Sequence, residues 1–203
     1  MRRIFVTGIG TEVGKTVVSA VLVEALRADY FKPIQCGDLD NSDSMKVRGL
    51  ISNTQSVVHK EYHRLKGFKS PHAAAQEEAL EIAVEAFELP DTNNTLIIEG
   101  AGGLMAPLND HEMVVDLIAH FDAETVLVSK NYLGSINHTL LSVELLRARG
   151  LKITGIIFNG ESVPATEEVV LAYSGLKLLG RINNETEINN KVISEYAKKF
   201  TKI

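Results

Sequence analysis

The sequence predicts an α/β fold: a mostly parallel sheet with helices on both faces, three layers in all. Two observations carry the prediction. Short, continuous apolar runs such as Ile4-Phe5-Val6 and Leu96-Ile97-Ile98 recur along the chain, and strands without polar alternation are strands buried on both faces. Segments with apolar residues at helical spacing lie between them, so strands and helices alternate throughout. At 203 residues the chain is long enough for one domain with a sizeable core, and no internal repeat or low-complexity linker divides it.

From the N-terminus, a strand over 4–6 leads into a glycine-bearing loop. A helix over 15–28 follows, with Val18, Val21, Leu22, Ala25 and Leu26 inward. A short strand over 30–35 contains Lys32-Pro33; proline cannot donate to a ladder, so the strand ends there or lies at an edge. Ser42 is placed to cap a helix over 43–50. The segment 52–68 is polar and carries His59 and His63, four residues apart, which read as a solvated helix face rather than a zinc site. Ser70-Pro71-His72 has the form of a helix entry with proline in the first turn, and that helix is expected to run to residue 88, before Pro90. The strand at 96–98 ends in Glu99-Gly100-Ala101-Gly102-Gly103, a second glycine-rich loop. Helices over 112–120, 135–149, 164–173 and 188–200 then alternate with strands over 125–129, 153–158 and 177–179.

Composition excludes several function classes. The net charge of -5 argues against a nucleic-acid scaffold. The single cysteine, Cys36, rules out an internal disulfide framework and fits a reducing, cytoplasmic setting. The apolar run after Met1-Arg2-Arg3 is too short for a signal peptide, and nothing later is long enough to span a membrane.

The polar stretches fall at strand C-terminal ends, where sheets of this kind bind ligands, and are expected to converge in one cleft. The first of them, Gly8-Ile9-Gly10-Thr11-Glu12-Val13-Gly14-Lys15-Thr16, joins a strand to a helix that opens on Gly-Lys-Thr. Such a loop turns N–H groups inward, and the helix start adds positive potential, so together they hold a polyphosphate. Lys15 can reach the outer phosphates and the Thr16 hydroxyl can ligate Mg2+. The first glycine of the usual pattern is displaced: Ile9 stands there, with Gly8 and Gly10 on either side. The whole is a P-loop NTPase-like arrangement. Thr16, Asp43 and Glu99 supply hard oxygens from three strand ends, as magnesium requires; the plainer alternatives are a surface carboxylate for Glu99 and a first-turn acid for Asp43. Lys32 is suited to fixing a point charge in a cleft, or else to keeping a sheet edge soluble. Cys36, with no histidine-and-acid pairing, reads as a small apolar residue. Leu133-Gly134-Ser135-Ile136-Asn137 opens a helix whose free N–H groups can bind an anion such as a carboxylate, or are simply capped.

Taken together, six motifs resemble those of the dethiobiotin synthetases. They are Thr-Glu-Val-Gly-Lys-Thr at 11–16, Lys-Pro at 32–33, Asn-Ser-Asp at 41–43, Ser-Pro-His at 70–72, Glu-Gly-Ala-Gly-Gly at 99–103 and Leu-Gly-Ser-Ile-Asn-His at 133–138. The resemblance covers about the first 160 residues and is weak over the last forty. It implies an ATP-dependent cyclo-ligase that makes dethiobiotin from 7,8-diaminopelargonic acid, CO2 and ATP. On it, Lys15 and Lys32 stabilise carbamate and γ-phosphate charge, with Thr11 hydrogen-bonding the same region. Glu12, Val13, Gly14, Lys15, Thr16 and Val17 wrap the phosphates, beside Gly100, Ala101 and Gly102. Thr16, Asp43 and Glu99 hold Mg2+. Asn159 and Gly160 meet the adenine, and Cys36 lies on the substrate side. Leu133, Gly134, Ser135, Ile136 and Asn137 match the family's site for the substrate carboxylate on a partner subunit, which implies a homodimer.

The chain departs from the family pattern in three places. Gly8-Ile9-Gly10-Thr11 replaces the usual Gly-Thr-Asp-Thr and so lacks an acid near the metal; Cys36 stands for a small hydroxyl residue; and 183–185 lacks the usual proline. The alternative reading is a nucleotide-switch ATPase of the partitioning or metal-insertase type. Those proteins commonly carry a further lysine early in the loop, and none precedes Gly14 here.

Overall fold

The computed structural model describes residues 1–201 and 203. Its strands are β1 (Arg3–Gly8), β2 (Asp29–Phe31), β3 (Ile34–Cys36), β4 (His63–Leu65), β5 (Leu96–Gly103), β6 (Glu124–Ser129), β7 (Ile153–Asn159) and β8 (Leu178–Ile182). Its helices are α1 (Lys15–Leu26), α2 (Asp43–Leu50), α3 (Pro71–Glu77), α4 (Val114–His120), α5 (Ser135–Ala148), α6 (Pro164–Ser174) and α7 (Asn190–Ala197). Six strands form one sheet in the order β2-β5-β1-β6-β7-β8, all pairs parallel, and β3 and β4 form a separate parallel pair.

The central strand shows why the apolar runs are continuous. Ile4 and Val6 pack into a core with Val18, Leu22 and Ile193 from α1 and α7. Phe5, pointing the other way, packs with Ile118 of α4 and Leu146 of α5. Both faces of β1 are thus dry at Ile4, Phe5 and Val6, and that run is apolar for that reason.

Lys32-Pro33 divides the predicted strand over 30–35. β2 stops at Phe31 and is the edge of the main sheet; the chain resumes beyond Pro33 as β3, in the small sheet. Ser42 caps α2 as expected: its hydroxyl accepts from the Met45 N–H (3.4 Å) and donates to Glu61 Oε1 (2.6 Å).

Two predicted elements differ. The helix begun at Pro71 ends at Glu77, where the expectation was residue 88. Beyond it, buried Ile82 and Val84 alternate with exposed Glu81 and Glu85, a period of two and not of 3.6. The stretch is held from outside by Asn109 Nδ2 on the Ile82 carbonyl (2.7 Å) and by the Val84 N–H on Glu112 (2.9 Å), and Val84–Ala86 then makes a single 3-10 turn. The histidines at 59 and 63 do not share a helix face either. Side chains take the backbone donors there: Asn53 accepts from the Gln55 and Ser56 N–H groups, and Asp29 accepts from the Val57 N–H. His59 lies 3.2 Å from Asp29, while His63 begins β4 and packs edge-on against Phe87. No helix among the described residues is long and apolar enough to cross a membrane.

The Ser42 cap ties this framework to the cleft, because the next residue is Asp43. Ser42→Ala is expected to cost about 1–2 kcal/mol, lowering Tm by a few degrees in a thermal melt. An unchanged Tm would contradict the capping role.

Candidate active site

The loop between β1 and α1 is shaped by close approach. A side chain at Gly14, whose φ is +91°, would place Cβ 2.1 Å from Asn159 Nδ2. A Cβ on Gly8 would meet Val13 at 2.4 Å, whereas one on Gly10 meets nothing within 4 Å. The displaced glycine of the motif is therefore explained: Gly8 is needed for packing, and Gly10 is not. No side chain caps α1 and no acid occupies its first turn, so the N–H groups and positive potential of the helix start stay available. Lys15 is buried beneath the loop, with Nζ donating to the Gly10 carbonyl at 2.8 Å. Burial, and next the charge of Lys32, lower its pKa to about 8.

Across from Lys15 lies a knot of charge. Lys32, only 3% exposed, donates to Asp43 Oδ2 (2.7 Å), Glu99 Oε1 (3.0 Å) and the Gly100 carbonyl (3.3 Å). All three ammonium protons thus have acceptors. Burial opposes the charge, but Glu99 and Asp43 outweigh it and hold the pKa of Lys32 above the usual lysine value. In Asp43, burial likewise opposes ionisation and is outweighed by Lys32, so its carboxyl is held below the usual range. Glu99 is 1% exposed and takes Thr16 Oγ1 (2.9 Å) on Oε1 and the Tyr30 hydroxyl (2.9 Å) on Oε2. Burial first, then the charge of Glu99, raises the Tyr30 pKa well above that of a free phenol, so Tyr30 remains a donor. The plainer alternatives are settled by burial: Lys32 is no edge-solubilising lysine and Glu99 no surface acid, while Asp43 is at once a first-turn acid of α2 and an ion-pair partner.

A cavity of about 780 Å³ opens onto this knot. Thr11, Glu12, Gly14, Lys15, Thr16, Val17, Lys32, Cys36, Asp43, Glu99, Ala101 and Gly102 all line it. Convergence is otherwise partial, which corrects the expectation of one common cleft. Val13 is buried behind the loop, and Gly100 contributes its carbonyl to Lys32. Asn159 braces the loop from behind, Nδ2 donating to the Val13 carbonyl at 3.0 Å, with Gly160 next to it. Residues 133–137 do not line the cavity; Leu133 stands fully exposed at the start of α5. They lie on another part of the surface because β6, which leads into them, is on the far side of β1 from β5.

Sequence reasoning passed over Tyr30 and Gln35. Tyr30 sits in an aromatic, apolar strand pattern and reads as plain core. Gln35 accepts from the Asp43 N–H (3.1 Å) and donates to the Gly37 carbonyl (2.9 Å), fixing the residue that α2 presents to Lys32. Nothing local to the sequence announces either contact.

The donor set suits a hard cation. Thr16, Asp43 and Glu99 offer oxygens at the mouth of the phosphate loop, the ligand type that a divalent cation such as Mg2+ takes. A parallel sheet with a Gly-Lys-Thr loop after its central strand and acids on the neighbouring strand end defines a P-loop nucleotide-binding α/β protein. Solved structures agree on the fold. The septum site-determining protein MinD from Pyrococcus horikoshii, complexed with Mg-ADP, superposes with TM-score 0.58 at 14% identity, covering 99% of this chain and 96% of that one. A ParA family ATPase from Chlorobium tepidum gives 0.54 at 14%, covering 98% and 99%.

Sequence comparison is far more specific. A family model described as an AAA domain matches residues 2–192. The ATP-dependent dethiobiotin synthetase BioD of Christiangramia forsetii is 52% identical over 198 residues, covering 98% of this chain and 95% of that protein. That of Cytophaga hutchinsonii is 49% identical, covering 98% and 97%. The chain belongs to the ATP-dependent dethiobiotin synthetase family.

Cys36 yields a test of site electrostatics. Burial, partly offset by Lys32, raises its thiol pKa to about 11. An acid raised this far stays protonated throughout the neutral range, and only the thiolate alkylates. Iodoacetamide at pH 7.5 should therefore label Cys36 roughly 100-fold more slowly in the folded protein than in urea, followed by intact mass. Equal rates would contradict the assigned environment.

Proposed function

We propose that this chain closes the ureido ring of dethiobiotin from 7,8-diaminopelargonic acid, CO2 and ATP, releasing ADP and phosphate. Family membership supports the reaction; the observation that carries the assignment of residues is the buried Lys32 ammonium facing Lys15 across the mouth of the phosphate loop. One substrate amine captures CO2 as a carbamate, losing a proton. A carbamate oxygen attacks the γ-phosphorus, the bond to ADP breaks, and a carbamic–phosphoric anhydride forms. The second amine then attacks the carbamate carbon, closing the ring and expelling phosphate, which can take the proton that the amine gives up.

Each step gathers negative charge where the chain places fixed positive groups. Lys15 and the α1 N–H groups hold the outer phosphates, and Lys32 spans carbamate and transferring phosphoryl. Thr11 donates to the same region. Because burial sets the positions of Lys15 and Lys32 before substrate arrives, these two ammonium groups need no reorganisation when charge develops. Thr16, Asp43 and Glu99 would hold Mg2+, which when bound offsets phosphate charge. Glu12 to Val17, with Gly100, Ala101 and Gly102, enclose the phosphates, and Asn159 and Gly160 face the base. No strong base is needed, and Cys36, as a neutral thiol, offers only a weak donor to substrate.

The proposed enzyme is a homodimer, in which the partner's residues 133–137 take the substrate carboxylate. Three features support this. Gly134, in the left-handed region, starts α5 without a side-chain cap; the Ser135 hydroxyl is buried and has no partner among the described residues; and Tyr132 and Leu133 just before α5, with Leu141 on it, expose apolar surface.

The direct test is product formation by mass. ATP and bicarbonate should yield dethiobiotin and phosphate only when the diamine is present; phosphate release indifferent to the diamine would sink the synthetase reading. Lys32→Ala is expected to cut turnover by about 10²–10³-fold; near-normal turnover would refute its role. Leu133→Asp combined with Leu141→Asp should give monomers by light scattering, with a raised KM for the diamine and unchanged ADP binding. Monomers with wild-type KM would remove the shared site.

A further inference from the structure

The corner between β7 and α6 holds an ion-paired scaffold that the chemistry above does not use. Arg181, on β8, donates from Nη1 to the Gly160 carbonyl (3.0 Å), lies over the Phe158 ring (5.7 Å to its centroid) and pairs through Nη2 with Glu167. Glu167, in the first turn of α6, accepts from the Val163 N–H (3.0 Å) and from Asn131 Nδ2 (2.7 Å). Asn131 also donates to the Glu161 carbonyl (2.9 Å), and the Gly160 N–H donates to the Ile182 carbonyl (2.8 Å). The corner at 160–163 is thus tied to β8, to α6 and to the loop after β6. The paired side chains of Arg181 and Glu167 are 22% and 12% exposed, so this is an enclosed scaffold and not a solvated surface pair. On the inner side of the same corner, the Asn159 amide donates to Val13 and presses on Gly14 so closely that no side chain fits there.

We propose that Arg181 is a positioning residue for the nucleotide. It fixes the Gly160 carbonyl and so seats the Asn159 amide against the phosphate loop, keeping the base end of the site in register with the phosphate end. This rests on the reading that Asn159 and Gly160 face the base. A guanidinium suits the task, because its planar fork serves a carbonyl and a carboxylate at once where an ammonium offers a point charge. Lys32 and the carbamate lie on the other side of the loop, so losing Arg181 acts on nucleotide affinity and not on the diamine.

The test combines calorimetric titration of ADP with steady-state kinetics. Arg181→Met should weaken ADP binding about five- to tenfold, less than the full worth of a charge-assisted hydrogen bond because Arg181 acts through Asn159, and raise KM for ATP in step. KM for the diamine, and turnover at saturating ATP, should stay within about twofold. Arg181→Lys should recover only part of the loss. In an Asn159→Ala background, Arg181→Met should add less than about twofold, because the relay is already cut. Should Arg181→Met fail to fold, Glu167→Gln carries the same prediction with a smaller effect. An equal loss in both backgrounds, or a parallel rise in both KM values, would overturn the proposal. Wild-type protein that binds ADP but makes no dethiobiotin would refute the synthetase reading alone; an Arg181→Met protein that binds ADP like wild type would refute this one alone.

Discussion

The site depends on one constraint: a lysine ammonium buried at the edge of a sheet must be fully paired. An isolated charge there is too costly to keep, and removing one partner of a buried pair costs about 3–5 kcal/mol. Lys32 meets the constraint with acceptors from three places: Asp43 at the start of α2, Glu99 on β5 and the Gly100 carbonyl. Pro33 stops β2 directly after Lys32, Ser42 and Gln35 fix the start of α2, and Tyr30 and Thr16 fix Glu99. The same contacts that make the buried charge tolerable also hold it in place, so local stability and the preorganisation that the proposed reaction needs have one origin.

Topology brings this knot to the phosphate loop. β1 lies between β5 and β6, and its C-terminal loop therefore meets the Glu99 end of β5 without any long-range adjustment. The partitioning-type ATPases share that topology at 14% identity, so the fold alone does not select a reaction. In the reaction we propose, the paired lysine beyond the edge strand serves a second, non-nucleotide anion. The two relatives at about half identity, from Christiangramia forsetii and Cytophaga hutchinsonii, are synthetases by name, in keeping with that chemistry.

Much of this was legible in the sequence because the signals are local. The double-sided strands, the Gly-Lys-Thr helix start, the Ser42 cap and the Pro33 break each depend on a few neighbouring residues. Where side chains far along the chain decide the backbone, sequence reading failed. Residues 80–87 look helical by composition, yet Asn109 and Glu112 capture the Ile82 carbonyl and the Val84 N–H, and only a single 3-10 turn forms, at Val84–Ala86. Residues 53–57 are similarly held by Asn53 and Asp29. Tyr30 was invisible as a site residue because a strand tyrosine looks like core until its hydroxyl is seen on Glu99, 69 positions away. The displaced glycine is a different case: Gly8 abuts Val13 with no room for a side chain while Gly10 faces open space, a difference set by packing and not by loop spacing.

The most direct test of the account is a crystal structure with a non-hydrolysable ATP analogue, magnesium and the diamine. The account predicts the γ-phosphate within hydrogen-bond reach of both Lys15 and Lys32, with Lys32 still paired to at least one of Asp43 and Glu99. A γ-phosphate contacted by Lys15 alone, with Lys32 remaining locked between the two acids and touching no ligand, would contradict it.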